Sequence, residues 1–387
     1  MFNNIRAVYL IFIIILTITL VSCVSNSNNL HLNIQESGDE IEKLLFLAED
    51  GDMSAQFDLA LIYSQIGDTG EAIDWFQKAA EQGHPMAQVN LGAMYRSGMG
   101  MAQNFEQAEI WFRRASDQGV ALAQFHLGLM YQLGQGLDKS YEQSIYWFRK
   151  AADQNLAIAE HNLGVAYENG YGIDQNYEQA IYWYTRSANQ GEVASQVSLG
   201  MLYENGFGVV RDSEHAVFWF RKAAEQESAT AQHNLGVAYE NGLGVEQDFE
   251  QAVYWYKKAA EQDLAMAQTN LGNMYSNGQG VAQSYERAMY WYRKAAEQNF
   301  SMAQHNLGFM YLRGFSVKQD YDQAFYWFSI AAEQNYLDSL HNLGIMYRDG
   351  LGVTQDYEQA AYWLKRAIEH GRILSQASLE NLPPQHR

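Results

Sequence analysis

Nine tryptophans, at positions 75, 111, 147, 183, 219, 255, 291, 327 and 363, follow one another at intervals of 36 residues. A single globular domain has no reason to set one residue type on such a ruler, so the 387-residue chain reads as a tandem array of one structural unit. With 48% hydrophobic residues, 14% of the chain being aromatic, it is too apolar for a disordered polymer and can bury a core.

Aligned on tryptophan, the unit is two helices. In residues 230–260, Ala231, Leu235, Gly236 and Tyr239 share one face of a helix A. Helix B follows an N-cap at Asp248, matched by Asn104, Ser140, Asn176, Asp212, Ser284, Asp320 and Asp356, all residues whose side-chain oxygen accepts from first-turn amides. Gln251 and Gln359, three places on, predict a reciprocal capping box. Ala252, Trp255, Tyr256 and Ala259 form a stripe expected to face helix A and the next repeat. Helix B should stop at Gly83, Gly119, Asn155, Gly191, Asp263, Asn299, Asn335 and Gly371, residues that tolerate a left-handed cap, with Glu227 as the exception. Leu-Gly pairs in helix A and Gly-x-Gly loops account for most glycines, and none remains for a phosphate loop; Ser316 replaces one loop glycine. Tyr63 precedes Trp75 by 12 residues where later units have 16, so the first repeat is shortened to 32 residues.

The expected fold is therefore all-α: a right-handed α/α superhelical solenoid of nine helix-turn-helix repeats over residues 51–370. Capping half-repeats are expected at 39–50 and 371–382, with a tail at 383–387. The recurring Ala-x-x-x-Leu-Gly-x-x-Tyr, Gly-x-Gly and Tyr-Glu-x-Ala-x-x-Trp-Tyr/Phe-x-x-Ala-Ala pattern resembles the Sel-one-like repeat family, an α/α solenoid related to the tetratricopeptide repeat. That resemblance implies an adaptor that assembles protein complexes, often at membranes, with a protein or extended peptide as partner. Some members are cysteine-rich and disulfide-stapled; this chain has one cysteine, so nothing claimed for them carries over.

That cysteine has its own context. Residues 7–21 form an apolar run too short for a membrane span but suited to a signal sequence. The run ends in Leu20-Val21-Ser22-Cys23, which resembles the lipobox of bacterial lipoproteins. The resemblance implies a signal peptide over 1–22, a lipidated Cys23 and a flexible tether over 23–38, the membrane being reached through the lipid alone. An uncleaved anchor, or an ordinary secretory peptide with an incidental cysteine, is the competing reading. Val24 after the cysteine favours the outer membrane in a cell with two.

A formal net charge of -20, from 25 basic and 45 acidic residues, argues against nucleic acid as a partner. The chain has no Gly-x-Ser-x-Gly, His-Glu-x-x-His or Gly-Lys-Ser/Thr motif, so no enzyme, cofactor or resident metal is expected. What recurs is a set of ladders. His161, His233, His305 and His341 each precede Asn-Leu-Gly; they read either as a metal- or pH-sensing row or as polar groups on the inner face. Neighbouring helices roughly 10 Å apart disfavour zinc shared between two imidazoles. Asn162, Asn234, Asn270, Asn306 and Asn342, with Asn90, occupy six of eight equivalent sites, His126 and Ser198 the others. By resemblance to the tetratricopeptide fold, this asparagine faces a concave groove and hydrogen-bonds a bound peptide, which makes the asparagines and the adjacent histidines candidate peptide-binding residues. The alternative is that the amides bond their own backbone. Glu168, Glu204 and Glu240 follow the helix-A tyrosine in mid-chain, where Arg96, Arg313 and Arg348 stand towards the ends.

A last row precedes the tryptophans: Tyr146, Tyr182, Phe218, Tyr254, Tyr290, Tyr326 and Tyr362, where relatives commonly carry a charge. Its angular offset from the alanine stripe predicts an outer aromatic ladder, able to stack on sugars or contact a protein. A cell-wall glycan such as peptidoglycan is the alternative partner on this reading. The rings lying flat over their own helices is the other.

Overall fold

The computed structural model describes residues 38–386, and all regular structure in that span is helical. The expected signal segment, Cys23 and nearly all of the tether lie outside the described residues. A first helix, α1 (Gly38–Glu49), precedes nine helix A/helix B pairs. In order these are α2 (Met53–Ile66) and α3 (Thr69–Glu81), α4 (Pro85–Ser97) and α5 (Phe105–Asp117), α6 (Ala121–Leu133) and α7 (Tyr141–Ala152). Next come α8 (Ala157–Asn169) and α9 (Tyr177–Asn189), α10 (Val193–Asn205) and α11 (Ser213–Glu225), α12 (Ala229–Asn241) and α13 (Phe249–Glu261). The last three pairs are α14 (Ala265–Asn277) and α15 (Tyr285–Glu297), α16 (Ser301–Arg313) and α17 (Tyr321–Glu333), α18 (Leu337–Asp349) and α19 (Tyr357–Glu369). A short α20 (Ser375–Glu380) and a 3-10 turn, Pro384–His386, end the description.

The chain divides into two compact units, one ending at Trp183 and the other beginning at Tyr184, so α9 contributes to both. In the first unit each helix from α1 to α8 packs on its sequence neighbours, and in the second the same holds from α10 to α20. Both are α/α solenoid segments, in which each helix pair is covered by the next.

Local chemistry explains the element boundaries. The side chain of each of the eight N-cap residues accepts from the amide three places on, at distances such as 3.0 Å for Asn104 to Gln107, 2.9 Å for Asp320 to Gln323 and 3.3 Å for Ser284 to Arg287. The reciprocal half of the expected capping box is replaced. The cap amide donates to the carbonyl of the preceding helix-A tyrosine, as from Asp248 to Tyr239 and from Asp356 to Tyr347, both 2.9 Å. That carbonyl lies at the open end of helix A and needs a donor, so one bond closes helix A and positions helix B.

Helix B ends in the left-handed region in every pair, Glu227 included, with φ 64°. Ser316 takes the same conformation in its loop, with φ 65°. Gly236 shows why the Leu-Gly pairs lack a side chain: a Cβ there would sit 2.5 Å from the Tyr256 ring.

The stripe faces inward as expected at Ala252, Tyr256 and Ala259, all fully buried. The tryptophans turn towards the preceding repeat rather than the next. Trp255 packs against the cluster that includes Phe220 and Ala224 of the preceding helix B, and Trp291 against the cluster that includes Tyr256 and Ala260 of the one before it. At the carboxyl end, within the 371–382 stretch, the helix itself is only Ser375–Glu380, with Leu379 and Leu382 buried against α19. Pro383 disfavours helical backbone at Leu382 and limits the turn.

A second ladder was not anticipated. A buried helix-A glutamine donates to a carbonyl of the preceding helix B and accepts from a glutamine just beyond its own helix B. Gln268 donates to Ala260 O at 3.2 Å and accepts from Gln298 at 2.8 Å; Gln88 and Gln118, and Gln232 and Gln262, repeat the arrangement. The signal was present in the sequence as paired glutamines 30 residues apart. Where Leu340 replaces the first, His370 replaces the second.

Candidate functional site

Two rows of side chains recur often enough to make a binding face, one on helix A and one on helix B. On helix A, His161, His305, His341, Asn162, Asn234, Asn270, Asn306 and Asn342 are half-buried and His233 is buried, so the row is recessed but reachable. The structure knits much of it to itself. His233 reaches Asn234 Oδ1 at 3.3 Å through Nδ1 and Asn270 Nδ2 at 3.1 Å through Nε2. His305 Nδ1 meets the Ser339 hydroxyl, and His341 Nδ1 the Ser375 hydroxyl, both at 2.9 Å. Asn306 Nδ2 donates to Asn273 Oδ1 at 3.1 Å, an oxygen that also accepts from the Tyr292 hydroxyl at 2.7 Å. Asn162 Nδ2 donates to Ile158 O, one turn back in its own helix, at 2.7 Å. These bonds join one repeat to the next in most cases and the amide to its own backbone in one.

Burial governs the protonation of the row. Desolvation pushes the pKa of His161 and of His305 down to about 4, with the charge of Arg372 adding to the shift at His305. His233 and His341 are lowered by the same cause, and His126, wholly buried, falls well below the ordinary value. The imidazoles are thus neutral at neutral pH. Among the described residues no group of three or more His, Cys, Asp or Glu is arranged to hold a metal ion.

The charges after the helix-A tyrosine are engaged differently along the chain. Glu240 accepts from the Tyr256 hydroxyl, and burial together with that carboxylate drives the Tyr256 pKa upward. Glu204 pairs with Arg211. Arg96 is buried, at 8% exposure, with no carboxylate against it among the described residues.

On helix B the aromatic row is half exposed: 49% at Tyr146, 50% at Tyr182, 49% at Phe218, 48% at Tyr254, 54% at Tyr290, 53% at Tyr326 and 52% at Tyr362. Each ring also meets the following tryptophan edge-on, with centroids 5.0 Å apart for Tyr254 and Trp255. Sequence reasoning missed the cations beside the rings. Lys150, Lys222, Lys258 and Lys294 each lie over both rings of a pair, Lys222 at 4.8 Å from Phe218 and 5.3 Å from Trp219. Their signal was the basic residue four places after every ring of the row but Tyr326, where Ile330 stands. The same lysines stand in the last turn of helix B, where cations complement the helix dipole.

Comparison with known proteins follows this geometry. The Sel1 repeat model matches residues 54–84, 85–120, 121–156, 157–192, 193–228, 229–264, 265–300, 301–336 and 337–371. Among solved structures, a protective antigen present in uropathogenic Escherichia coli strains, displaying an SLR fold, is 34% identical with TM-score 0.72, over 88% of this chain and 81% of that one. A Sel1 repeat protein from Oxalobacter formigenes is 31% identical with TM-score 0.47, over 90% and 92%. No curated protein matches the chain.

Proposed function

Since the chain belongs to the Sel1 repeat family, we propose that it is a non-enzymatic scaffold that holds an extended protein partner along its helix-A face. The observation carrying this reading is the amide row. Asn162 and Asn306 spend their Nδ2 donors inside the protein, which fixes the side chains. An anchored, half-buried amide then presents its oxygen to a backbone N–H whatever the partner's side chains. Many modest contacts repeated at a fixed interval add up through effective concentration. The test is capture of a partner by the mature protein and by a variant with Asn162, Asn234 and Asn306 changed to Ala. Loss of capture with unchanged helicity is expected, and undiminished capture rejects the helix-A face.

The half-exposed rings at Tyr182, Tyr254 and Tyr290 favour a second reading, a module that stacks on cell-wall glycan. Sedimentation with purified cell wall should then fall when the three become Ser; absence of the wild-type protein from the pellet removes it. We propose further that Cys23 is lipidated and tethers the scaffold to a bacterial membrane, the outer one in a cell with two. Similarity to a protective antigen supports an exported, accessible location. Accumulation of precursor under globomycin is the expected outcome, and normal maturation would contradict it.

A further inference from the structure

Three consecutive helices B of the second unit carry the same short series along their exposed stripe. In α11 it is Glu214, Phe218 and Lys222, in α13 Glu250, Tyr254 and Lys258, and in α15 Glu286, Tyr290 and Lys294. Four residues advance an α-helix by about 6 Å and turn it by about 40°, so acid and base flank the ring evenly on one face. The rings are half exposed, at 49%, 48% and 54%. The three carboxylates stand exposed in the first turn of their helices, and none is in an ion pair among the described residues. By contrast Lys257 and Glu261, on the helix of Tyr254, lie 3.8 Å from each other. The lysines of the series lie over the rings, and Lys294 also comes within 3.8 Å of Asp263. Each ring is held edge-on by its tryptophan at 5.0 Å.

An acid, a ring and a base in that order become a base, a ring and an acid when turned end for end, so the stripe is its own complement. A polymer of one charge sign would meet a repelling group in every repeat. A surface that matches its own reverse is what a two-fold interface requires, since there one patch meets itself. We propose that this helix-B face docks a second copy of the chain, across a two-fold axis running along the row of rings. The helices B of the two copies are then antiparallel. Each ring meets its counterpart, and each carboxylate faces a lysine. The parallel arrangement would set acid on acid and base on base, so the charges fix the orientation. The rings supply apolar area, and because each is already braced by a tryptophan it loses little freedom on docking. In α17 the series lapses, since Ile330 stands where the base would be, and the patch ends there. Such a dimer does not use the helix-A face, and it claims the rings that the glycan reading would use.

The mature protein is followed by sedimentation velocity from about 1 μM to about 1 mM, the range that a weak interface of three repeats calls for. A monomer–dimer equilibrium that weakens as salt is added is expected. A variant carrying F218S, Y254S and Y290S should associate at least about tenfold more weakly with unchanged helicity. Two charge variants supply the sharper test. One carries E214K, E250K and E286K and presents bases at both ends of the stripe; the other carries K222E, K258E and K294E and presents acids at both. Each alone should stay monomeric, and an equimolar mixture of the two should recover the dimer, because only the mixture restores acid against base. A wild type that is monomeric throughout, full association of the Ser variant, self-association of either charge variant as strong as that of the wild type, or a mixture that stays monomeric overturns the interface. Should a charge variant lose helicity, the Ser variant decides alone. A monomeric wild type whose sedimentation with cell wall falls in the Ser variant assigns the rings to glycan and likewise overturns the dimer. Loss of the dimer leaves the helix-A reading standing, since partner capture there is tested on Asn162, Asn234 and Asn306.

Discussion

Glu227 holds a conformation that its side chain disfavours. Its φ of 64° puts the Cβ against the following carbonyl, at a cost of about 1 kcal/mol relative to glycine. The equivalent places carry glycine at 83, 119, 191 and 371 and asparagine at 155, 299 and 335, so the backbone geometry is common to the repeats and only the residue is at odds with it. Changing Glu227 to Gly should therefore raise stability by about 1 kcal/mol in urea unfolding, less what glycine loses in chain entropy. An unchanged or lower midpoint would show that the strain is relieved elsewhere. At Asp263 the penalty is smaller, because a short polar side chain hydrogen-bonds locally in this region.

At the level of the helix, the buried histidines make stability depend on pH. His161 and His305 have native pKa values of about 4, against about 6.5 in the unfolded chain. Between those values the unfolded state binds the extra protons, so stability falls as pH drops from about 6.5 and the loss is complete near pH 4. At about 1.4 kcal/mol per pKa unit the two together amount to several kcal/mol. Replacing both by Asn should flatten the thermal midpoint across this window; an equally steep profile in the variant would place the dependence on other groups. The contrast between caps and histidines also shows what was legible beforehand. Asp248 finds its partner three residues away, within one helical turn, so its role can be read locally. His305 finds Ser339, 34 residues on, and Gln268 finds Gln298, 30 on, in partnerships set by how helices stack. The tryptophan period showed that repeats stack but not in which direction each indole turns. The aromatic row was legible as exposed, since that follows from angle alone, whereas the lysines over four of its rings depend on rotamers.

Across the molecule, bonding between neighbouring repeats makes the repeat the unit of stability. Removing residues 265–300, one complete match, joins α13 to α16 through Leu264 and Ser301, the same kind of junction as Phe300 and Ser301. Helicity per residue should be unchanged in circular dichroism and unfolding should remain cooperative. Removing 265–282 alone leaves α15 without its helix A and should broaden the transition; equal behaviour of the two deletions would refute the nearest-neighbour account. The glutamine bond between Gln298 and Gln268, and its continuation to Ala260, bears on how such a gene changes. Outside the copies that carry Glu160 and Leu340, each offers one acceptor and spends one donor in the same two places. Unequal crossing-over between copies offset by 36 codons therefore yields a chain in which every glutamine meets a partner again. Copy number can drift by recombination with the fold intact, except at the last repeat, where Leu340 and His370 close the series.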